Sequence, residues 1–108
     1  MILSWRFVWF AELHRQLTWA STEANMFHWR DRSGAEVDFV LESTDGRVVA
    51  LEIKAGRTAK QEWFRWLARM RDALGTRFIA GVALYGGGHV LPFGDRLIAA
   101  PLSTLWEL

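Results

Sequence analysis

The chain has 108 residues, of which 51% are hydrophobic and 23% are charged. This length suits one globular domain and leaves no room for a second hydrophobic core, and the composition excludes a disordered chain. The formal net charge of +1 excludes a strongly basic nucleic-acid binder, and the absence of cysteine excludes disulfide bonds and thiolate metal sites. Any nucleic acid is therefore expected to bind weakly, or with the help of another polypeptide.

Residues 4–20 predict a helix, because apolar residues recur at helical spacing and neither glycine nor proline interrupts them. Trp5, Val8 and Trp9 make its first turns apolar on every side, which is typical of a helix buried on more than one side. We expect part of this aromatic surface to meet another chain, in a homo-oligomer such as a dimer or on a partner protein. The apolar run is too short to span a bilayer and lacks signal-peptide features, so no membrane contact and a cytoplasmic location are expected.

Three strands are predicted next, over residues 26–32, 35–42 and 47–55. Ser33-Gly34 and Asp45-Gly46 separate them, and Asp-Gly is a strong signal for a β-hairpin. The three strands are therefore predicted to form an antiparallel meander.

The second half of the chain predicts another helix and further strands. Thr58 and Gln61 match the N-cap and N3 positions of a capping box, and Gly75 is expected to end the helix. A strand at residues 77–85 follows, and a glycine-rich hairpin turn at residues 86–88 leads from it into residues 89–92. A last short strand is predicted at residues 96–100. The order α-βββ-α-β with a small C-terminal β appendage predicts an α/β or α+β fold with a mixed sheet, in one domain that spans residues 1–108.

Charged side chains gather on the second and third predicted strands. Because alternate residues of a strand share a face, Asp38 faces the same side as Val40 and away from Val37. Glu52 and Lys54 likewise share a face, so the hairpin is expected to bring both of them close to Asp38. Three charges on strands with apolar opposite faces are costly unless they face water, a metal ion or one another.

Two chemical interpretations of this cluster stay open on the residues alone. Two carboxylates supply hard oxygen ligands that suit Mg²⁺, and a nearby lysine can orient or deprotonate a water molecule or stabilise developing negative charge. The alternative is an exposed strand face with an ordinary Lys–Glu ion pair. Glu36 is either a supporting carboxylate or a solvated hairpin charge. Metal ligation and a polar surface role are the alternatives for the three histidines, His14, His28 and His89. A phosphate contact and an ordinary surface charge are the alternatives for Arg30, Arg32, Lys60 and Arg65.

The spacing of Asp38, Glu52 and Lys54 is similar to the PD-(D/E)xK nuclease motif, with Val37 in place of the proline, and α-βββ-α-β is the core of that superfamily. Three blocks, at residues 27–40, 51–55 and 90–94, resemble the domain of unknown function found C-terminal to the ATPase module in a large family of prokaryotic AAA-type ATPases. The resemblance extends from about residue 10 to residue 106.

This resemblance implies a restriction-endonuclease-like fold and metal-dependent cleavage of phosphodiester bonds with Mg²⁺ or Mn²⁺. It implies Asp38 and Glu52 as metal ligands, Lys54 as the catalytic lysine, the backbone carbonyl of Ile53 as a further ligand and Glu12 as an auxiliary acidic ligand. The chain has no phosphate-binding loop motif, so the ATPase domain that usually precedes this domain is not expected and ATP is not expected to be hydrolysed. The competing hypothesis is a non-catalytic module that keeps the fold and docks on an AAA-type ATPase or another protein.

Overall fold

The computed structural model describes residues 24–32 and 34–103 of the chain. The predicted N-terminal helix, which carries Glu12 and the aromatic residues expected to mediate self-association, lies outside these residues. Within the described ranges, no helix is long and apolar enough to cross a membrane.

The first three strands form the predicted antiparallel meander, with β1 at Ala24–Arg30, β2 at Glu36–Ser43 and β3 at Val48–Ile53. The hairpin between β2 and β3 turns at Gly46, whose φ of 84° is a left-handed conformation that glycine adopts without steric cost. Its N–H donates to the Ser43 carbonyl at 3.0 Å. The Asp-Gly hairpin signal is therefore confirmed.

The helical segment begins with a 3-10 turn at Gln61–Phe64 and continues as helix α1 at Arg65–Leu74. The predicted capping box is wrong, because Lys60 holds the N-cap position in an extended conformation and no side chain caps the turn. The Gln61 amide instead donates to the carbonyl of Phe93 at 3.3 Å, so a tertiary contact has replaced the local one. The predicted helix end at Gly75 is confirmed, with a φ of 59°.

The remaining strands complete a mixed six-stranded sheet in the order β1-β2-β3-β4-β6-β5. Strand β4 is Phe78–Tyr85, β5 is Leu91–Pro92 and β6 is Leu97–Pro101. Strand β4 runs parallel to both β3 and β6, whereas β5 is antiparallel to β6. The predicted α+β class with a mixed sheet is confirmed. The hairpin predicted at the glycine run is wrong, because β6 lies between β4 and β5.

Two apolar clusters lie on the two faces of the sheet, and α1 covers one of them. On the α1 face, Gly81 of β4 allows a close approach of helix and sheet. A Cβ at this position would lie 2.9 Å from Phe78 Cζ and from Leu97 Cδ2, and 3.2 Å from Leu67 Cβ in α1. These separations are shorter than van der Waals contacts between carbon atoms, so only glycine leaves room for α1 here.

A local irregularity interrupts the pairing of β1 with β2. Val40 pairs with Phe27 and Val37 with Trp29, so β2 contributes one more residue than β1 over this stretch. As a result, Val37 and Val40 belong to the same core cluster, and the predicted separation of these two side chains onto opposite faces is wrong. The extra residue lies in the stretch that contains Asp38.

Arg96 joins the end of α1 to the start of β4. It has a φ of 58°, and its Nη1 donates to the carbonyl of Gly75 at 2.9 Å and to that of Phe78 at 2.7 Å. Carbonyls at a helix end lack intrahelical partners, so this guanidinium replaces donors that the helix itself cannot supply.

Candidate functional site

Glu52 lies at the centre of the predicted cluster, one residue before the end of β3. The residue is 6% exposed. Its Oε1 accepts a hydrogen bond from the backbone N–H of Asp38 at 3.0 Å, and its Oε2 lies 3.3 Å from Lys54 Nζ. One buried carboxylate therefore connects the backbone of β2 to the ammonium group of Lys54.

The Asp38 side chain makes the reciprocal connection, from β2 to β3. Its Oδ2 accepts a hydrogen bond from the backbone N–H of Ile53 at 2.8 Å. Each carboxylate thus binds the backbone of the other strand, where direct pairing of the two strands has ended. The N–H of Lys54 donates to the carbonyl of Leu84 at 2.8 Å, so β4 also fixes this end of β3.

Burial makes the ionised form of Glu52 unfavourable. Desolvation raises the pKa of the Glu52 carboxyl above its ordinary value of 4.5, and the negative charge of Asp38 raises it further. The hydrogen bond from Asp38 N–H and the proximity of Lys54 act in the opposite direction and only partly offset these effects. A bound cation would favour the ionised form of both carboxylates and remove this conflict.

The donor atoms at this end of the sheet suit a hard divalent cation. Asp38 and Glu52 supply carboxylate oxygens, and Ile53, the last residue of β3, has the backbone carbonyl that the sequence resemblance implies as a ligand. Within the described part of the chain, no three His, Asp or Glu side chains are grouped to hold a metal ion. Mg²⁺ commonly binds through one or two carboxylates and keeps several waters, so a pair of carboxylates fits this cation. Glu12 lies outside the described residues.

Other residues considered from the sequence lie apart from this cluster. Glu36 pairs with Arg30 across β1 and β2 at 3.3 Å, and both side chains are at least half exposed, so Glu36 is a solvated strand charge. His89 is exposed, and its carbonyl accepts the Tyr85 hydroxyl at 2.7 Å. Arg32, Lys60 and Arg65 are exposed.

His28, for which the sequence left open metal ligation or a surface role, is a neighbour of the site. Its Nδ1 lies 3.2 Å from the carbonyl oxygen of Asp38, a contact that requires the proton on Nδ1. The contact joins β1 to the irregular stretch of β2. Because strict alternation of side chains does not reveal a bulge, no signal in the sequence places His28 beside Asp38.

Comparison with known proteins gives a family and one structural relative. A search of curated proteins finds no match. A solved structure described as an EndoMS–dsDNA2 complex matches with a TM-score of 0.42 and 21% identity. The match covers 81% of this chain and 38% of that chain, so this chain spans well under half the length of the relative. The model of a domain of unknown function, DUF4143, matches residues 7–105, and the chain therefore belongs to the DUF4143 family.

Proposed function

We propose that this domain is a divalent-metal-dependent phosphodiester hydrolase, a nuclease of the PD-(D/E)xK type. The observation that carries the proposal is the buried Glu52 carboxylate, held between the Asp38 backbone and the Lys54 ammonium. A buried carboxylate whose ionised form is disfavoured is a poor structural element, but it is a suitable ligand for a cation.

Asp38 and Glu52, with the Ile53 carbonyl and with Glu12, would hold Mg²⁺ or Mn²⁺. When bound, such an ion supplies an activated water and stabilises negative charge on a phosphoryl oxygen. Glu52 must be ionised to act as a ligand, so a bound ion would lower the pKa of its carboxyl.

Lys54 has two roles in this scheme. In the free protein it partly neutralises Glu52 at 3.3 Å. Its side chain is 32% exposed, so its ammonium group can also turn toward a substrate phosphate or a nucleophilic water near the two carboxylates. There it would orient the water or stabilise the charge that develops in the transition state.

Two further parts of the proposal come from the sequence. The resemblance to a domain that follows the ATPase module of AAA-type ATPases supports such an ATPase as a partner. The aromatic residues before residue 11 support a homo-oligomer or a contact with that ATPase. Both parts concern residues or partners beyond the described structure.

The test combines metal binding with cleavage. We expect Asp38→Asn and Glu52→Gln each to abolish Mn²⁺ binding in calorimetric titration and to abolish cleavage of DNA and RNA. Lys54→Met should keep Mn²⁺ binding but lower the cleavage rate by roughly 10²–10³-fold, because it removes an electrostatic stabiliser and no metal ligand.

Glu36→Gln is the matched control, because it neutralises an acidic residue of the same strand that lies in an exposed ion pair. It should leave both measurements unchanged. If the wild type neither binds Mn²⁺ nor cleaves single- or double-stranded DNA or RNA, the proposal is wrong and a docking module takes its place.

A further inference from the structure

The cations of the described chain fall into two groups. The first group forms ion pairs with carboxylates and consists of Arg30, Arg47, Lys54, Arg71, Arg77 and Arg96. The second group, which has no ion pair with a described carboxylate, consists of Arg32 and of Arg57, Lys60, Arg65 and Arg69. The last four are exposed and lie within residues 57–69. This stretch of the sequence contains one acidic residue, Glu62. This basic segment, residues 57–69, begins three residues after Lys54.

Trp66 lies within the basic segment and is flanked by two of its cations. The Cζ atom of Arg65 lies 4.4 Å from the centroid of the Trp66 ring, and that of Arg69 lies 5.3 Å from it. The indole is half-buried against the core on the α1 face. An anchored aromatic ring beside exposed arginines is the combination with which proteins bind single-stranded nucleic acid, because bases stack on rings and phosphates contact the cations.

A cavity of about 400 Å³ opens between α1 and strands β1 to β3. Trp29 and Trp66 line it together with Arg69, and Val40 and Met70 belong to its apolar lining. Its volume lies in the range of about 300–1,000 Å³ that is usual for ligand pockets. Two indole rings and apolar side chains suit a planar, aromatic ligand.

Two carboxylates, Asp31 and Glu42, and two arginines, Arg69 and Arg77, line the cavity, so its lining has no net charge. Glu42 pairs with Arg77 at 3.0 Å, and the Oδ1 of Asp31 accepts the N–H of Ala35 at 3.1 Å. Arg69, in contrast, has no carboxylate partner among the described residues. The cavity therefore combines aromatic walls with a cation whose charge is not neutralised by a carboxylate.

The cavity lies near the candidate site along β2, although Asp38, Glu52 and Lys54 do not line it. Val40, which lines it, is two residues from Asp38 in β2, a separation of roughly 7 Å along a strand. Trp29 pairs with Val37, the residue before Asp38. A chain with a phosphate at Asp38 and Glu52 can thus place a neighbouring nucleotide over the cavity.

We infer that the cavity holds an unpaired base of a single-stranded nucleic acid, while the basic segment contacts the phosphates of the same strand. The inference rests on the proposed function and names its substrate class. Base stacking requires an open base face, which a base-paired duplex does not offer without extrusion of a nucleotide. The cations available for phosphates are few, so binding is weak, and it weakens further as the salt concentration rises.

The test measures binding without turnover. The full chain carrying Glu52→Gln is titrated, in EDTA, into fluorescein-labelled single-stranded DNA, single-stranded RNA and duplex DNA of about 12 nucleotides, a length within the usual site sizes. Fluorescence anisotropy should show tighter binding of a single strand than of the duplex. Comparison of the affinities for single-stranded DNA and single-stranded RNA then shows which of the two nucleic acids the protein prefers.

Substitutions in this background test the two parts of the surface. Arg69→Gln should weaken single-strand binding. It should also make the negative slope of log affinity against log salt shallower by about 0.7, the contribution of one phosphate contact. Arg47→Gln removes the same charge from the β2–β3 hairpin, where the arginine pairs with Asp45 at 2.9 Å, and should leave binding unchanged. Trp66→Leu should weaken binding roughly tenfold, and Trp66→Phe should retain most of it, because phenylalanine keeps a stacking face.

Three outcomes would overturn the inference: duplex bound as tightly as single strands, equal effects of Arg69→Gln and Arg47→Gln, or unchanged binding in Trp66→Leu. Thermal unfolding of each variant verifies that it is folded. Because EDTA removes metal ions, single-strand binding by a protein that never cleaves would reject the proposed hydrolase and support this inference. Cleavage by the wild type, together with unchanged single-strand binding in the Trp66 and Arg69 variants, would support the proposed hydrolase and reject this inference.

Discussion

Replacing Glu52 by glutamine removes a buried negative charge and keeps the shape of the side chain. The remaining carbonyl oxygen can still accept the Asp38 N–H, whereas the ion pair with Lys54 is lost. Because Lys54 is about one-third exposed, that loss costs at most ~1 kcal/mol. Replacing a buried ionic group by a neutral one of similar volume often gains ~1–4 kcal/mol. We therefore expect Glu52→Gln to raise the free energy of unfolding at pH 7 by about 1 kcal/mol, or the Tm by about 4 °C.

The pH dependence gives the prediction a second signature. Since the pKa of Glu52 is higher in the folded protein than its ordinary value of 4.5, the folded state binds the proton more tightly than the unfolded chain does. The destabilising effect of the charge is absent below pH 4.5 and fully present above the folded-state pKa. The stability of the wild type relative to Glu52→Gln should therefore fall as the pH rises through this window.

Urea denaturation of both proteins across this pH range, in EDTA, measures the difference. Adding Mn²⁺ at neutral pH should then stabilise the wild type, by about 1.4 kcal/mol at ten times the Kd, and leave Glu52→Gln unaffected. A wild type that is more stable than Glu52→Gln at pH 7, with a difference that grows as the pH rises, would refute the reasoning. Glu52 would then be a structural carboxylate satisfied by Asp38 and Lys54.

Urea denaturation of three further substitutions tests the contacts around the site and between α1 and the sheet. Lys54→Met should lower the free energy of unfolding by up to ~1 kcal/mol at pH 7 and have no such effect in the Glu52→Gln background. Additive effects of the two substitutions would show that the two side chains do not interact. Gly81→Ala should destabilise by ~1–3 kcal/mol, because the added methyl group forces α1 away from the sheet; an unchanged Tm would show that the helix shifts freely. Arg96→Ala should destabilise by ~2–4 kcal/mol, because two backbone carbonyls lose a charged donor, whereas Arg96→Lys should recover part of this; equal losses in both variants would contradict the hydrogen-bond explanation.

The parts of the fold that the sequence predicts well are those in which the local signal and the tertiary structure agree. Asp45-Gly46 gives a hairpin because the turn needs a left-handed residue, whatever surrounds it. Gly75 ends α1 for the same reason. Gln61 shows the opposite case, because its side-chain nitrogen donates to the carbonyl of Phe93, distant in sequence, and no side chain caps the helical segment.

The candidate site is predictable from the sequence in its membership but not in its geometry. Alternation along β3 places Glu52 and Lys54 on one side, and the structure brings them to within 3.3 Å. The exchange of hydrogen bonds between the two carboxylates and opposite strands occurs where the pairing of β2 with β3 ends, and His28 contacts Asp38 in the irregular stretch of the β1–β2 pair. An extra residue in one strand leaves no mark in a hydrophobic pattern, so these features emerge only from the paired sheet.

The net charge of the chain likewise does not predict how its charges are paired in the structure. A value of +1 for the whole chain predicts weak attraction to nucleic acid, and it averages over charges that do not act alike. Most described cations are neutralised by a carboxylate at hydrogen-bonding distance, whereas those of residues 57–69 are not, and this segment starts beside the candidate site. A phosphate within a Debye length of about 8 Å responds to the local, unpaired charge more than to the total. For the inferred single-strand binding we therefore expect the affinity to depend on Arg57, Lys60, Arg65 and Arg69. We expect substitution of paired arginines elsewhere to change the net charge by the same amount with little effect on binding.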